Sequence, residues 1–150
     1  MTGVALPSSG DTAFLLGFKA EIHALSFVRT ALFFNTFGSS VTSSLDASSV
    51  TASTHTTMYG LEGSVNLDAD ISFGVKCGLL KSSSDVRASD GAANSVVFNS
   101  SASGLFLGPT LMYEQPLGRF AMTAELGYAL VLSSQLQNSA LLALGVKYLF

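Results

Sequence analysis

The chain has 150 residues, enough for one domain, so we expect 1–150 to form a single domain. It is 48% hydrophobic but only 11% charged, against about 25% charged residues in an ordinary soluble domain, so its charges would poorly cover a water-exposed surface. The net charge of −3 and the seven scattered Lys and Arg residues exclude a nucleic-acid partner, because phosphate binding needs clustered basic side chains.

The predicted elements are strands. The first segment, 1–6, is too short to span a membrane, and turn-forming residues follow it at 7–11. Longer segments with alternating hydrophobicity then lie at 12–22, 27–37, 56–66, 70–82, 101–114, 119–132 and 139–150. Most are long enough for a tilted strand to cross a bilayer, which takes about 9–11 residues. Because single-chain membrane barrels have even strand numbers, residues 1–6 or a strand hidden in the Ser-rich run 39–57 would supply an eighth.

The region 14–32 has two interpretations. Its apolar residues fit helical spacing from Phe14 onward, which would predict a helix. However, Lys19, Glu21, His23 and Arg29 all fall on odd positions, as they would on one face of strands. Four polar residues on one face favour two strands over a helix.

The alternation also indicates which face is outside. Towards the C-terminus, Leu126, Tyr128, Leu144 and Val146 lie on the parity of large apolar residues, and small or charged residues fill the other parity. A soluble barrel would need the small-residue face to meet water, and that face carries too few charges. Turned outward, the large side chains would meet lipid and the small ones would fit a narrow lumen. Cys77 falls on the lipid parity and is interpreted as a small apolar residue.

Short and long connections alternate along the chain. Turn-forming residues make short connections at 66–70 and 114–119, whereas 38–54 and 82–100 are long and rich in Ser, Thr, Asp and Asn. A shorter polar connection lies at 133–138. Membrane barrels of bacteria have short turns on the periplasmic side and longer external loops. We therefore expect 38–55 and 83–100 to be external loops that could contact an extracellular ligand.

The C-terminus carries a motif. Tyr148, Leu149 and Phe150 end a segment in which Leu142, Leu144 and Val146 are also apolar at alternate positions. This terminus resembles that of bacterial outer-membrane barrels, and the chain's size and strand rhythm are similar to the small barrels typified by the OmpA transmembrane domain and OmpX.

The resemblance implies an all-β fold, an antiparallel up-and-down transmembrane β-barrel of eight strands in the outer membrane of a Gram-negative-type bacterium. Membrane lipids would surround it. In that family the last strand is read by the barrel assembly machinery, so the resemblance implies that Tyr148 and Phe150 form the assembly signal.

Charged residues mark the inward parity of most strands. The predicted lumen charge network consists of Lys19, Glu21, Arg29, Glu62, Lys76, Glu125 and Lys147, and His23 shares their parity. One hypothesis is that these charges line an ion pathway. The other is that they pair and plug the lumen, because the interior of an eight-stranded barrel is barely wider than its side chains and unpaired charges there are costly.

No constellation of catalytic residues stands out. His23 with Ser26 is a conceivable hydrolase pair, but no motif surrounds it, and two distant histidines do not match metal-ligand spacing. We therefore expect no catalytic residue, no metal and no cofactor. The first functional hypothesis is a non-enzymatic surface barrel for adhesion, host contact or envelope integrity. The alternatives are a small channel and a lipid-modifying enzyme.

Overall fold

The structure is a computed structural model that describes residues 2–7, 13–25, 27–45, 48–89 and 94–148. Its strands, in chain order, are β1 (Thr2–Pro7), β2 (Ala13–Leu25), β3 (Val28–Leu45), β4 (Ser48–Asn66), β5 (Ile71–Ser89), β6 (Asn94–Leu117), β7 (Phe120–Val131) and β8 (Ser139–Tyr148). Each strand pairs antiparallel with the next one in sequence, and the order closes into a barrel of eight strands. The predicted all-β, up-and-down antiparallel barrel is confirmed.

Strand β1 closes the barrel although it has only six residues. It pairs on one side with β2, from Thr2 opposite Leu16, and on the other with β8, from Thr2 opposite Leu144 to Pro7 opposite Ser139. The eighth strand is therefore the N-terminal segment, and the alternative of a separate strand inside the Ser-rich run is wrong.

The helical interpretation of 14–32 is wrong as well. β2 and the first part of β3 form a ladder there, with Phe18 opposite Phe34 and Glu21 opposite Ala31. Strand pairing prevails because it puts Lys19, Glu21 and Arg29 on the inward face and the apolar side chains on the outward face. A helix would spread these three charged side chains around its circumference. No helix among the described residues is long and apolar enough to cross a membrane.

The predicted loops 38–55 and 83–100 are mostly strand, which corrects that expectation. The β3–β4 ladder continues from Gly38 opposite His55 as far as Leu45 opposite Ser48. The β5–β6 ladder likewise continues as far as Ser89 opposite Asn94. The Ser-rich and Thr-rich composition predicted loops. However, once the two strands are in register, the hydrogen bonds of the ladder satisfy the backbone N–H and C=O groups of these residues. We call these four paired strand ends the protruding sheet (38–45, 48–55, 82–89 and 94–102).

The short connections lie at the opposite end of the barrel. Residues 67–70 link β4 to β5, with Leu67 N–H donating to the Ile71 carbonyl at 2.8 Å. The predicted turn 114–119 is shorter than expected, because β6 runs to Leu117 and only Gly118 and Arg119 separate it from β7. Gly118 has a φ of 68°, a conformation that glycine adopts without steric cost.

The outer surface of the barrel is apolar, and the charged residues of the inward parity lie in the interior. Leu126, Tyr128, Leu144 and Val146 are exposed on the outer wall, at 56%, 42%, 61% and 71% of their surface. The sequence prediction for these four side chains is therefore confirmed. Cys77 is a free, exposed cysteine on the same wall.

Candidate functional site

The barrel interior has two layers, and the one nearer the protruding sheet is apolar. Phe33 and Phe106 meet there edge to face, with ring centroids 6.0 Å apart. The layer consists of Phe33, Phe37, Met58, Leu80, Phe106, Ala129, Leu141 and Ala143, with Val131 and Leu136 packed against it. The sequence pattern does not reveal this layer, because inward Phe and Met residues share the parity of the charged ones.

The second layer, nearer the short turns, is charged. Strand β2 contributes Lys19 and Glu21, and each later strand contributes one further charged side chain. These are Arg29, Glu62, Lys76, Glu114, Glu125 and Lys147. We call these eight side chains the charged layer. The ammonium of Lys76 connects the two layers, because its Nζ lies 5.0 Å from the centre of the Phe33 ring.

Four of the charges form a central ring of alternating sign. Lys19 Nζ lies 2.8 Å from Glu62 Oε1 and 3.5 Å from Glu125 Oε2. Lys76 Nζ lies 3.5 Å from Glu62 Oε2 and also pairs with Glu125 Oε1. Each lysine therefore touches both glutamates, and each glutamate touches both lysines.

The other four charges form a second alternating ring. Arg29 Nη1 lies 2.9 Å from Glu114 Oε2 and 3.9 Å from Glu21 Oε2. Lys147 Nζ lies 2.6 Å from Glu21 Oε2 and 3.2 Å from Glu114 Oε2. A contact of 3.4 Å between Lys19 Nζ and Glu21 Oε1 links the second ring to the central one.

The two rings are electrically balanced. Lys19, Arg29, Lys76 and Lys147 provide four positive charges, and Glu21, Glu62, Glu114 and Glu125 provide four negative ones. The seven residues chosen from the sequence would leave one positive charge in excess. Glu114 completes the set.

Glu114 was missed because the sequence placed it at the start of a turn. β6 continues past it to Leu117, so Glu114 keeps the inward parity of Thr110 and Met112. Two signals could have identified it, namely that parity and the charge imbalance of the other seven residues.

Burial makes these contacts costly to break. The side chains of Glu62, Lys76 and Glu125 are only 2–4% exposed, whereas Lys147 retains 20% at the edge of the second ring. Arg29 Nη2 also donates to the buried Ser72 hydroxyl at 2.7 Å. Two carboxylate oxygens, Glu62 Oε2 and Glu125 Oε2, accept no hydrogen bond from the described residues and interact only through the 3.5 Å ion pairs. Such a layer can join seven strands, because each charge is compensated by partners on other strands.

Other predicted residues are less informative. The side chain of His23, and Ser26 and Phe150 altogether, lie outside the described residues. Tyr148 packs edge to face on Phe120, with ring centroids 5.3 Å apart. Within the described part of the chain, no group of His, Cys, Asp and Glu has the arrangement of a metal site.

No protein-family model matches the chain, and no curated protein does either. Among solved structures, it is similar to Ail, the attachment invasion locus protein of Yersinia pestis, in complex with the heparin analogue sucrose octasulfate. That comparison gives a TM-score of 0.64 at 12% identity and covers 98% of this chain and 91% of Ail. A second structure of Ail gives 0.61 at 11% identity, with the same coverage. Neisserial surface protein A gives 0.49 at 17% identity and covers 99% and 92% of the two chains. The chain therefore has the fold of a small outer-membrane β-barrel.

Proposed function

We propose that the chain is a non-enzymatic barrel of the outer membrane of a Gram-negative-type bacterium, and that it presents the protruding sheet to a protein partner on another cell. The observation that carries this proposal is the continuation of β3, β4, β5 and β6 as paired strands beyond the apolar outer wall. A tilted strand needs about 9–11 residues to cross a bilayer, whereas β4 and β5 have 19 each and β6 has 24.

The outer wall supports the membrane placement. On β5 the outward side chains are apolar from Ile71 to Leu79, and the next outward residue is Lys81. Tyrosines lie at both ends of the apolar wall, with Tyr113 and Tyr148 near the short turns and the partly exposed Tyr59 near the protruding sheet. Aromatic side chains at both interfaces are typical of membrane barrels.

The protruding sheet has unpaired edges among the described residues. The β2–β3 ladder stops at Phe14 opposite Gly38, and the β6–β7 ladder reaches only to Phe106 opposite Val131. The segments 39–45 and 94–104 therefore have no strand on one side within the part of the chain that the structure describes. Such edges can accept an added strand from a partner.

The charge of the sheet argues against a polyanionic ligand. The Ail structure contains a heparin analogue. In this chain, the segments 38–55 and 81–104 carry two basic residues, Lys81 and Arg87, against three acidic ones, Asp46, Asp85 and Asp90. No basic patch results, so we do not carry that ligand over. The exposed apolar residues of the sheet, Val41, Val50 and Phe98, suit a protein partner better.

The interior supports a role without ion conduction. The apolar layer and the two charge rings lie at successive levels of the lumen, and the charges compensate one another. Tyr148 and Phe150 keep their proposed role as the signal for the barrel assembly machinery.

A cell-attachment assay tests the proposal. The full chain is displayed on a Gram-negative host without adhesins, and attachment to an epithelial monolayer is counted. Phe98 is 57% exposed beside the free edge of β6, so a partner that binds there would bury it. Phe98→Lys should reduce attachment about tenfold, which corresponds to the loss of one apolar side chain that is buried on binding. The matched control is Leu117→Lys, at the turn end of the same strand, which should attach like the wild type.

Heat-modifiable mobility of the folded barrel checks that both variants reach the membrane. If cells that display the wild-type chain attach no better than cells without it, the attachment role is wrong, although the barrel and its placement remain.

A further inference from the structure

A groove of about 360 Å³, lined mostly by Ser and Thr, lies on the outer wall at the point where the protruding sheet begins. Two rows of outward residues on three neighbouring strands form most of it, and Ser82 and Ala102 complete its lining. His55, Ser83 and Ser101 make the upper row, and Thr57, Lys81 and Ser103 make the lower row, in direct register across β4, β5 and β6.

The groove lies at the edge of the apolar wall. The next outward row towards the short turns consists of Tyr59, Leu79 and Leu105, again in direct register. On each of the three strands, therefore, the outward side chains change from apolar to polar at the same step. In a membrane, this step lies where hydrocarbon gives way to lipid headgroups.

Apart from Ala102, every described side chain that lines the groove carries a hydroxyl, an imidazole or an ammonium group. None is a carboxylate, and Lys81 forms no ion pair with any described acidic group. Its Nζ lies 5.9 Å from the centre of the Tyr59 ring, above the apolar wall. The hydroxyl of Thr36 lies 3.2 Å from His55 Nε2, which holds the imidazole beside the groove. An ammonium surrounded by hydroxyls is suited to an anion with several oxygens, above all phosphate.

We propose that this groove binds the phosphate of an anionic lipid in the outer leaflet, with Lys81 as the charged contact and the serine and threonine hydroxyls as further donors. The acyl chains of the same lipid would lie along Tyr59, Leu79 and Leu105. This inference rests on the proposed membrane placement of the barrel.

A lipid is a better occupant than a free phosphate ion. The groove is shallow and offers one cation, and a single exposed ion pair is weak in water. A lipid is already held at this height by its chains, so its phosphate meets the groove at a high effective concentration. The apolar row beside the groove, Tyr59, Leu79 and Leu105, would contact the acyl chains of a lipid but would make no contact with a free phosphate ion.

The test uses the full chain refolded into nanodiscs of phosphatidylcholine with a minor fraction of phosphatidylglycerol. Native mass spectrometry counts the phosphatidylglycerol molecules that stay bound after release. The wild type should retain phosphatidylglycerol in preference to phosphatidylcholine. Lys81→Met should weaken this retention about fivefold, the contribution of one lysine near an anionic lipid surface, and Lys81→Arg should preserve it.

Arg87→Met is the matched control, because it removes one positive charge from an exposed position of the same strand, farther from the apolar wall. It should retain phosphatidylglycerol like the wild type. An equal loss of retention in Arg87→Met and Lys81→Met would mean that basic residues in general attract the lipid, and would overturn the assignment of the groove as its binding site.

Displacement of the lipid by millimolar inorganic phosphate would overturn the assignment to a lipid headgroup. A chain that enters the nanodisc without any lipid preference contradicts only this inference, whereas a chain that never enters contradicts the membrane placement too.

Discussion

Single residues of the charged layer depend on partners from other strands. Glu21 and Lys147 are 126 positions apart in sequence, yet their charged atoms lie 2.6 Å apart. Parity alone selected seven of the eight members, because an inward position is a local property of a strand. Which charges pair could not be predicted, since this depends on the register between strands, which sets the level of each side chain along the barrel axis.

Replacing Glu114 tests its place in the second ring. Glu114→Gln leaves Arg29 and Lys147 with one carboxylate between them, so we expect the free energy of unfolding to fall by about 2–3 kcal/mol, somewhat less than for a fully buried pair. Urea unfolding of the refolded barrel measures the change. Asp70→Asn, in the turn between β4 and β5, is the control and should shift the midpoint little. Equal midpoints for both variants would mean that Glu114 does not stabilise the ring.

At the scale of elements, the contact between β4 and β5 depends on two glycines. Gly60 lies directly opposite Gly78, and a Cβ on Gly60 would overlap the backbone of Cys77 and Gly78. The alternation of the sequence shows these glycines inside strands but does not show which of them faces a close backbone.

Alanine substitutions along β4 test this close approach. Gly60→Ala should destabilise the barrel by about 1–3 kcal/mol, as overpacking does in a tight interior. Gly63→Ala lies on the same strand, where an added Cβ meets nothing within 4 Å, and should be nearly neutral in the same urea titration. If Gly63→Ala proved the more harmful substitution, the close approach of the two strands would be wrong.

For the whole molecule, the decisive question is whether the lumen conducts. The charged layer and the apolar layer lie at different levels, so opening one would leave the other in place. We expect planar bilayers with the intact barrel to show little steady conductance, and Glu125→Ala to lower the unfolding midpoint without opening a pore. A wide, stable conductance of the wild type, together with a neutral Glu125→Ala, would favour the channel hypothesis over the plug.

By itself, the sequence determined the barrel class, the outward face and most of the inward charges, because side chains alternate along every strand whatever its neighbours do. The tertiary structure alone decided that six residues at 2–7 close the wall, that the Ser-rich segments pair into a sheet, and that Glu114 joins the lumen. Each of these depends on register between strands, which is set by ladder hydrogen bonds and packing across the barrel rather than by local composition.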